Sequence, residues 1–226
     1  MVLSNMNDFP ANLAAVRRRI ERAAAAVGRE PASIALLAVT KMQPLAAVSA
    51  ARRAGVALFG TNYVQEGIAQ IDAVPDAEWH YIGRLQSNKT RAVAERFAWV
   101  HTIDRPAIAR RLSEQRPMGT PLQACVQVNI DDEPTKGGVA PRDVAALAAL
   151  VGQLPGLHLR GLMAIPRADR DPRSAFARVR ALFETLRAEH PTIDTLSMGM
   201  SADLEAAVAE GATLVRIGTA LFGARA

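Results

Sequence analysis

The sequence is poor in cysteine, aromatic residues and long apolar runs. Cys125 is the single cysteine among 226 residues, so an internal disulfide is excluded, and its place in the apolar segment LQACVQVNI indicates a core residue. Aromatic residues make up 4% of the chain, too few for a surface that stacks nucleic-acid bases. No apolar run reaches the roughly 20 residues that span a bilayer, and the first residues lack the pattern of a signal peptide. We therefore expect a cytoplasmic protein with no membrane partner.

Positive charge is in slight excess, because the net charge is +5. The arginines alternate with acidic residues along predicted helices, however, and the one dense run, 17–19, lies on an amphipathic helix. Leu13, Val16, Ile20 and Val27 form the apolar side of that helix. A solvated helix face explains this pattern better than a nucleic-acid-binding surface does. No nucleic-acid partner is predicted.

Lysine is scarce, since only Lys41, Lys89 and Lys136 among the 27 basic residues are lysines. A lysine amine can lose its proton and attack a carbonyl to form a Schiff base, whereas an arginine guanidinium stays protonated. Lys41 directly follows IALLAVT, the most apolar run near the N-terminus. It is therefore a candidate imine-forming residue at the end of a buried strand. A solvated or salt-bridged lysine at a strand end is the alternative.

Eight short apolar or β-branched segments alternate with amphipathic segments along the chain. The predicted strands are IALLAVT (34–40), ALFG (57–60), EWHYIG (78–83), WVHTI (99–103), LQACVQVNI (122–130), LHLRGLMAI (157–165), TLSMG (195–199) and TLVRIG (213–218). The predicted helices include 44–54, 87–97, 105–115, 141–150, 174–189 and 202–209. Strict alternation predicts parallel strands, and eight repeats predict a closed α/β architecture, the (β/α)8 TIM barrel, with an extra N-terminal helix over 8–27.

A doubly wound open sheet is the alternative fold. The number of strands and the absence of GxGxxG after the first strand count against it. No linker or break in composition divides the sequence, so residues 1–226 are predicted to form a single barrel domain.

The barrel prediction gives meaning to residues at strand ends, because active sites of this fold form at the C-terminal mouth. Residues at or just past these ends are Lys41, Asn62, His80, Met163, Ser201 and Arg216. Ser201 precedes a predicted helix as a candidate N-cap, and Gly218 with Thr219 opens a helical turn. Both loops would offer backbone N–H groups and hydroxyls to a phosphate. Ordinary helix capping is the alternative for each loop alone.

An amine on strand one facing a phosphate site on strands seven and eight suits pyridoxal 5'-phosphate. The aldehyde and the phosphate of this cofactor lie on opposite sides of one ring. Arg216, three residues before Thr219, would point inward near that ring. An arginine at the pyridine nitrogen would keep that nitrogen unprotonated and the ring a weak electron sink. A buried salt bridge is the alternative role for Arg216.

At this point the motifs resemble those of the pyridoxal-phosphate homeostasis proteins (the YggS/PROSC family) along nearly the whole chain. The matching segments are LLAVTK, FGTNYVQE, WHYIGRLQSNK, QVNIDDEPTKGG, GLMAIP, SMGMSADLEAAV and RIGTALFGAR. The resemblance implies a barrel similar to the N-terminal domain of alanine racemases. It implies that pyridoxal phosphate binds on Lys41, that the phosphate contacts Ser201, Gly218 and Thr219, and that Arg216 lies at the pyridine nitrogen. It also implies that the ring has four further neighbours: Asn62, His80, Met163 and Met200.

The resemblance further implies a protein that carries and buffers the cofactor as a Lys41 Schiff base and supports intracellular homeostasis, without robust catalysis. Transient contact with apoenzymes that use the cofactor is expected, as is a monomer. A racemase-like enzyme with weak activity is the alternative. Alanine racemases carry a further C-terminal domain with a tyrosine acid/base, whereas Tyr63 and Tyr81, the only tyrosines, fit packing roles. No catalytic residue is predicted.

Four further features of the sequence bear on the site and on the class of protein. The family usually has Glu where this chain has Thr61, which would change the local charge beside Asn62. Lys136 is a candidate transient holder of cofactor, with a surface salt bridge as the alternative. A class I aldolase would need a lysine deep in a later strand, and neither Lys89 nor Lys136 lies there. The four histidines lack metal-ligand spacing, so no metal is predicted.

Overall fold

The computed structural model describes residues 8–133 and 136–223. Its strands are β1 (Ala35–Val39), β2 (Leu58–Thr61), β3 (Glu78–Tyr81), β4 (Trp99–Ile103), β5 (Leu122–Val128), β6 (Leu157–Ala164), β7 (Thr195–Ser197) and β8 (Leu214–Ile217). Its α-helices are α1 (Phe9–Ala25), α2 (Leu45–Arg53), α3 (Val64–Ala73), α4 (Thr90–Arg96), α5 (Pro106–Gln115), α6 (Val144–Gln153), α7 (Pro172–Glu189), α8 (Leu204–Ala209) and α9 (Thr219–Phe222).

The strands form a closed barrel in chain order, and every neighbouring pair is parallel. Closure joins β1 to β8, where Leu37 lies opposite Arg216 and Ala38 opposite Ile217. The predicted (β/α)8 barrel with an extra N-terminal helix is thus confirmed. No helix in the described ranges is long and apolar enough to cross a membrane.

Helix α3 occupies the place between β2 and β3 where the alternation predicts a helix, although it is not among the segments named. Gly67 lets α3 pack closely, since a Cβ there would lie 2.6 Å from both Phe97 and Thr61. Helix α8 begins at Leu204 with Asp203 as its N-cap residue, so Ser201 is not an N-cap. Asp203 instead accepts a hydrogen bond from the Met200 N–H.

The apolar core has an outer layer between strands and helices and a separate interior. One side of the interior contains Leu37, Ile82 and Leu214, and the other contains Trp99, Cys125 and Met163. Cys125 is buried, as predicted, and burial raises the pKa of its thiol to about 12. The thiolate required of a nucleophilic cysteine is therefore strongly disfavoured.

A register shift between β5 and β6 marks a β-bulge. Ala124 pairs with Leu159, but Cys125 pairs with Gly161, so β6 contains one extra residue. Gly161 has a φ of 146°, and a Cβ at this position would lie 2.0 Å from the Thr195 carbonyl oxygen. Only glycine fits this close approach between β6 and β7.

Candidate functional site

Lys41 lies two residues after the end of β1, in a loop at the C-terminal mouth of the barrel. Its side chain is partly buried, and within the described part of the chain its amine makes no hydrogen bond or ion pair. Met42 follows with a φ of 60°, which is unusual for a residue with a side chain. The loop therefore turns sharply directly after the lysine.

Two side chains of α3 hold this loop in place. The Glu66 carboxylate accepts a hydrogen bond from the Met42 N–H. The buried Gln70 amide donates to the Thr40 carbonyl oxygen at 3.1 Å and accepts from the Thr40 hydroxyl at 2.7 Å. Partial burial raises the pKa of Glu66, although the hydrogen bonds from the backbone of Met42 and Gln43 oppose the shift. The residues on both sides of Lys41 are thus fixed to α3.

Replacing Gln70 with Ala tests this attachment. We expect the free energy of unfolding to fall by about 2 kcal/mol, because the buried Thr40 hydroxyl and carbonyl lose their shared partner. Backbone amides of residues 40–43 should also exchange with solvent faster, as hydrogen-exchange mass spectrometry can measure. Gln65→Ala is the matched control, since Gln65 is an exposed residue of the same helix. Equal effects of the two substitutions would contradict the proposed attachment.

The two predicted phosphate loops lie next to each other and next to the end of β1. The Ser201 hydroxyl accepts a hydrogen bond from the Ala220 N–H at 3.3 Å, which joins the β7–α8 loop to α9. Gly218 lies against Val39, since a Cβ there would be 3.4 Å from the Val39 carbonyl oxygen. Thr219 is exposed at the start of α9. The structure therefore brings Ser201, Gly218 and Thr219 to the same mouth as Lys41.

Helix α1 supports the β7–α8 loop from outside the barrel. Arg19 donates to the Ser201 carbonyl oxygen at 3.0 Å and pairs with Glu205 at 2.7 Å. The Asn12 amide donates to the Leu221 carbonyl oxygen at 3.0 Å, which attaches the same helix to α9. The extra helix thus contacts both segments that follow the last two strands.

Arg216 lies inside the barrel and is 4% exposed. Its guanidinium donates to the Ser197 carbonyl oxygen at 2.6 Å, the Ser197 hydroxyl at 2.9 Å and the Ala164 carbonyl oxygen at 3.0 Å. No acidic side chain of the described ranges forms an ion pair with it. Burial lowers the pKa of Arg216 to about 10, which still leaves the cation at neutral pH. The structure therefore does not show the buried salt bridge that was the alternative role for Arg216.

The remaining predicted site residues lie at different depths. His80 is buried in the interior, where His101 and Glu78 contact its two ring nitrogens. Met163 is fully buried, whereas Met200 is 39% exposed at the mouth. The Oδ1 atom of Asn62 is buried without a hydrogen-bond partner. A polar atom in that position is costly unless something else satisfies it.

Thr61 and Tyr81 point away from the site into the outer layer. Thr61 is fully buried against Gly67. Tyr81 contacts the Phe97 ring edge-on, and its hydroxyl donates to the Arg84 carbonyl oxygen at 3.3 Å. Burial raises the pKa of Tyr81 to about 12. Tyr81 therefore has a packing role, whereas Tyr63 is 55% exposed and is not part of the core.

Of the two other lysines, Lys136 makes hydrogen bonds with described residues. Its amine pairs with Glu133 at 2.9 Å and donates to the Pro166 carbonyl oxygen at 2.7 Å. This arrangement matches the salt-bridge alternative. Lys89 ends a 3-10 turn and lines a surface cavity beside Asn62 and Tyr63.

The donor set at this mouth fits pyridoxal phosphate. A partly buried amine without a partner suits an aldehyde, and the hydroxyls and the glycine of the neighbouring loops suit a phosphate. A buried guanidinium without a carboxylate partner suits a ring nitrogen, to which it can only donate. The unsatisfied Asn62 oxygen leaves one further polar contact available.

Comparisons with known proteins assign the family. The family model described as alanine racemase, N-terminal domain, matches residues 11–226. The pyridoxal phosphate homeostasis protein of Pseudomonas aeruginosa is 55% identical over 226 residues, which cover 97% of each chain. That of Escherichia coli K12 is 51% identical over 229 residues, covering 97% of this chain and 98% of the relative. The structure of PipY from Synechococcus elongatus with pyridoxal phosphate bound has a TM-score of 0.78 and 39% identity, covering 90% of this chain and 99% of PipY. The chain therefore belongs to the pyridoxal phosphate homeostasis protein family, within the alanine racemase N-terminal domain family.

Proposed function

We propose that this protein binds pyridoxal 5'-phosphate reversibly through Lys41 and supports homeostasis of the cofactor inside the cell. The observation that carries the proposal is the Lys41 amine, which has no partner among the described residues and follows β1 beside two loops that suit a phosphate. Two relatives that cover nearly the whole chain are named for this role. A third, PipY, has been solved with the cofactor bound.

When bound, pyridoxal phosphate supplies an aldehyde, a phosphate and a pyridine nitrogen. Lys41 would hold the aldehyde end, while Ser201, Gly218 and Thr219 would hold the phosphate. Arg216 would donate to the ring nitrogen and keep it unprotonated. Asn62 and Met200 are the further neighbours of the ring that we propose at the mouth. His80 and Met163 are those that we propose on the interior side.

Carriage of the cofactor is favoured over turnover. A racemase needs a second acid/base that faces the lysine across the substrate. Tyr81 cannot serve, because it packs against Phe97 in the outer layer. Tyr63 is 55% exposed, and among the described residues no hydrogen bond holds its hydroxyl in a position facing Lys41. Arg216 cannot accept a proton. If the weak racemase-like alternative were correct, the loaded protein would incorporate solvent deuterium at the α-carbon of an amino acid.

Transient transfer of the cofactor to apoenzymes, a monomeric state and a cytoplasmic location complete the proposal. Direct transfer would be visible as activation of an added apoenzyme by the loaded protein in the presence of a scavenger of free pyridoxal phosphate. Activation no faster than that by free cofactor at the same concentration would contradict transfer.

Binding is tested by titrating the cofactor-free protein with pyridoxal phosphate and then removing the unbound ligand by gel filtration. We expect about one equivalent to stay with the protein and to give a visible absorbance band. Pyridoxal without the phosphate should be retained more weakly, because the two loops then have no anion to bind. A protein that stays colourless and retains no cofactor would overturn the proposed function.

A further inference from the structure

Behind the proposed ring position, a continuous line of hydrogen bonds crosses the barrel interior. We call Glu78, His80, His101 and Ser197, together with Arg216, the interior network. Glu78 accepts from one nitrogen of His80 at 3.0 Å, and the other nitrogen of His80 lies 2.8 Å from His101. His101 contacts the Ser197 hydroxyl at 2.8 Å, which lies 2.9 Å from the Arg216 guanidinium. The network joins four strands and ends at Glu78, the half-exposed first residue of β3.

The carboxylate end of the interior network determines which atoms donate. The hydrogen bond from His80 lowers the pKa of Glu78, so the carboxyl group is ionised and can only accept. His80 must then carry a proton on Nε2. Burial lowers the pKa of His80 and lowers that of His101 well below its ordinary value, so both rings are neutral. The unprotonated Nδ1 of His80 therefore accepts from the Nε2–H of His101.

Starting from Arg216 gives the same direction for the hydrogen bonds. Arg216 can only donate, so the Ser197 oxygen accepts from it and the hydroxyl hydrogen remains for the next partner. The Nδ1 atom of His101, which carries no proton, accepts that hydrogen. Every donor in the interior network thus points from Arg216 towards Glu78, and no two donors or two acceptors face each other.

Residues packed against the histidines keep the rings dry and oriented. Trp99 stacks on His80 with ring centres 5.0 Å apart and planes inclined by 7°. The Arg160 guanidinium lies 4.7 Å from the centre of the Trp99 ring and pairs with Asp194. Trp99 thus lies between two contacts, with His80 stacked on its ring and Arg160 close to the centre of the same ring.

We propose that His80, His101 and Ser197 are positioning residues which, with Glu78, fix the orientation of the Arg216 guanidinium and so determine how firmly the cofactor ring is held. The inference rests on the proposed function, because it assigns to Arg216 the contact with the ring nitrogen. His80 acts in it through His101. Loss of the Ser197 hydroxyl would leave Arg216 only the backbone carbonyl oxygens of Ser197 and Ala164 as acceptors among the described residues. Loss of His101 would leave the Ser197 hydroxyl in place but free to turn away from Arg216.

The hydrogen-bond order is tested on the cofactor-free protein, independently of any binding. Nitrogen-15 NMR of the imidazole rings at neutral pH should show His80 and His101 neutral, each with its proton on Nε2. His158, which is exposed on β6, provides an internal reference ring that should show an ordinary tautomer mixture. A proton on Nδ1 of either His80 or His101, or a charged ring at either position, would overturn the proposed order.

The effect on the cofactor is tested by a pair of substitutions at one position. His101→Leu removes both links, whereas His101→Gln supplies an amide with one acceptor and one donor and can keep the order. We expect release of pyridoxal phosphate to become about tenfold faster in His101→Leu, the size expected for the loss of one buried hydrogen bond. The visible band should shift in the same variant, and His101→Gln should restore both properties most of the way.

His158→Leu is the matched control and should change neither the release rate nor the band. If His101→Leu fails to fold, Ser197→Ala serves in its place, because it removes the hydroxyl link while keeping the backbone carbonyl. Unchanged release and an unchanged band in the folded variant would overturn the positioning role. Failure of the wild-type protein to bind cofactor would instead overturn the proposed function and leave the NMR result standing.

Discussion

Replacing Lys41 with Ala will leave a folded protein that has lost the entire visible band of bound pyridoxal phosphate. The band requires a primary amine at the cofactor aldehyde, and Lys41 is the amine at the mouth beside Ser201 and Gly218. Because the Lys41 amine has no partner in the described part of the chain, its loss should change the free energy of unfolding by less than about 0.5 kcal/mol. Absorbance after gel filtration and urea unfolding monitor the two effects separately.

The other two lysines supply matched controls for this prediction. Lys89→Ala and Lys136→Ala should both retain the band, because neither residue lies at a strand end next to the phosphate loops. Reduction with borohydride followed by peptide mapping should then place the label on Lys41. A band that persists in Lys41→Ala, or a label confined to another lysine, would show that the site has been assigned to the wrong residue.

Replacing Gly161 with Ala will strongly destabilise the protein. The new Cβ would lie 2.0 Å from the Thr195 carbonyl oxygen, and backbone on both sides is fixed by pairing of β6 with β7. The φ of 146° adds strain for any residue with a side chain. We expect the free energy of unfolding to fall by about 3 kcal/mol or more, as urea unfolding followed by circular dichroism would measure.

Gly119→Ala separates the steric clash of the new Cβ from the backbone strain at a positive φ. Gly119 has a φ of 124°, but a Cβ there would meet nothing within 4 Å. Its replacement should therefore cost only the backbone strain, about 1 kcal/mol. If Gly161→Ala were no more destabilising than Gly119→Ala, the close approach of β6 to Thr195 would not be the constraint described here.

Sequence patterns predicted the barrel because each strand and most helices leave a local signature. The alternation of short apolar runs with amphipathic segments needs no knowledge of partners. The close packing of α3 could not be predicted, because the need for glycine at Gly67 comes from Phe97 and Thr61 in other elements. Ser201 was placed as an N-cap because a serine before a helix commonly caps it, whereas Asp203 has that position.

The site could be predicted where a residue carries its own chemical signal. Lys41 stands out because lysine is scarce in this chain and because it follows a strand. Gly218 and Thr219 stand out because they open a helical turn. Glu66 and Gln70 gave no such signal, although Glu66 ends the segment FGTNYVQE. Their importance lies in hydrogen bonds to a loop more than twenty residues earlier.

The hydrogen bonds of the interior network were even harder to predict from the sequence. His101 and Ser197 are ordinary strand residues in the sequence, separated by 96 positions. Only barrel closure places them within hydrogen-bonding distance. The sequence offered one usable clue, which is that polar residues occupy alternate positions of strands expected to be buried.

Pairing of β1 with β8 has a consequence for the order in which the protein matures. The strand that precedes Lys41 is made early, but its neighbour Arg216 belongs to the last strand of the barrel. Until β8 leaves the ribosome, the free edge of β1 is open to pairing with other chains. The large sequence separation between β1 and β8 also makes barrel closure a late and slow step. A nascent chain therefore has the lysine well before it has the rest of the site, so loading with cofactor is expected to follow completion of the barrel.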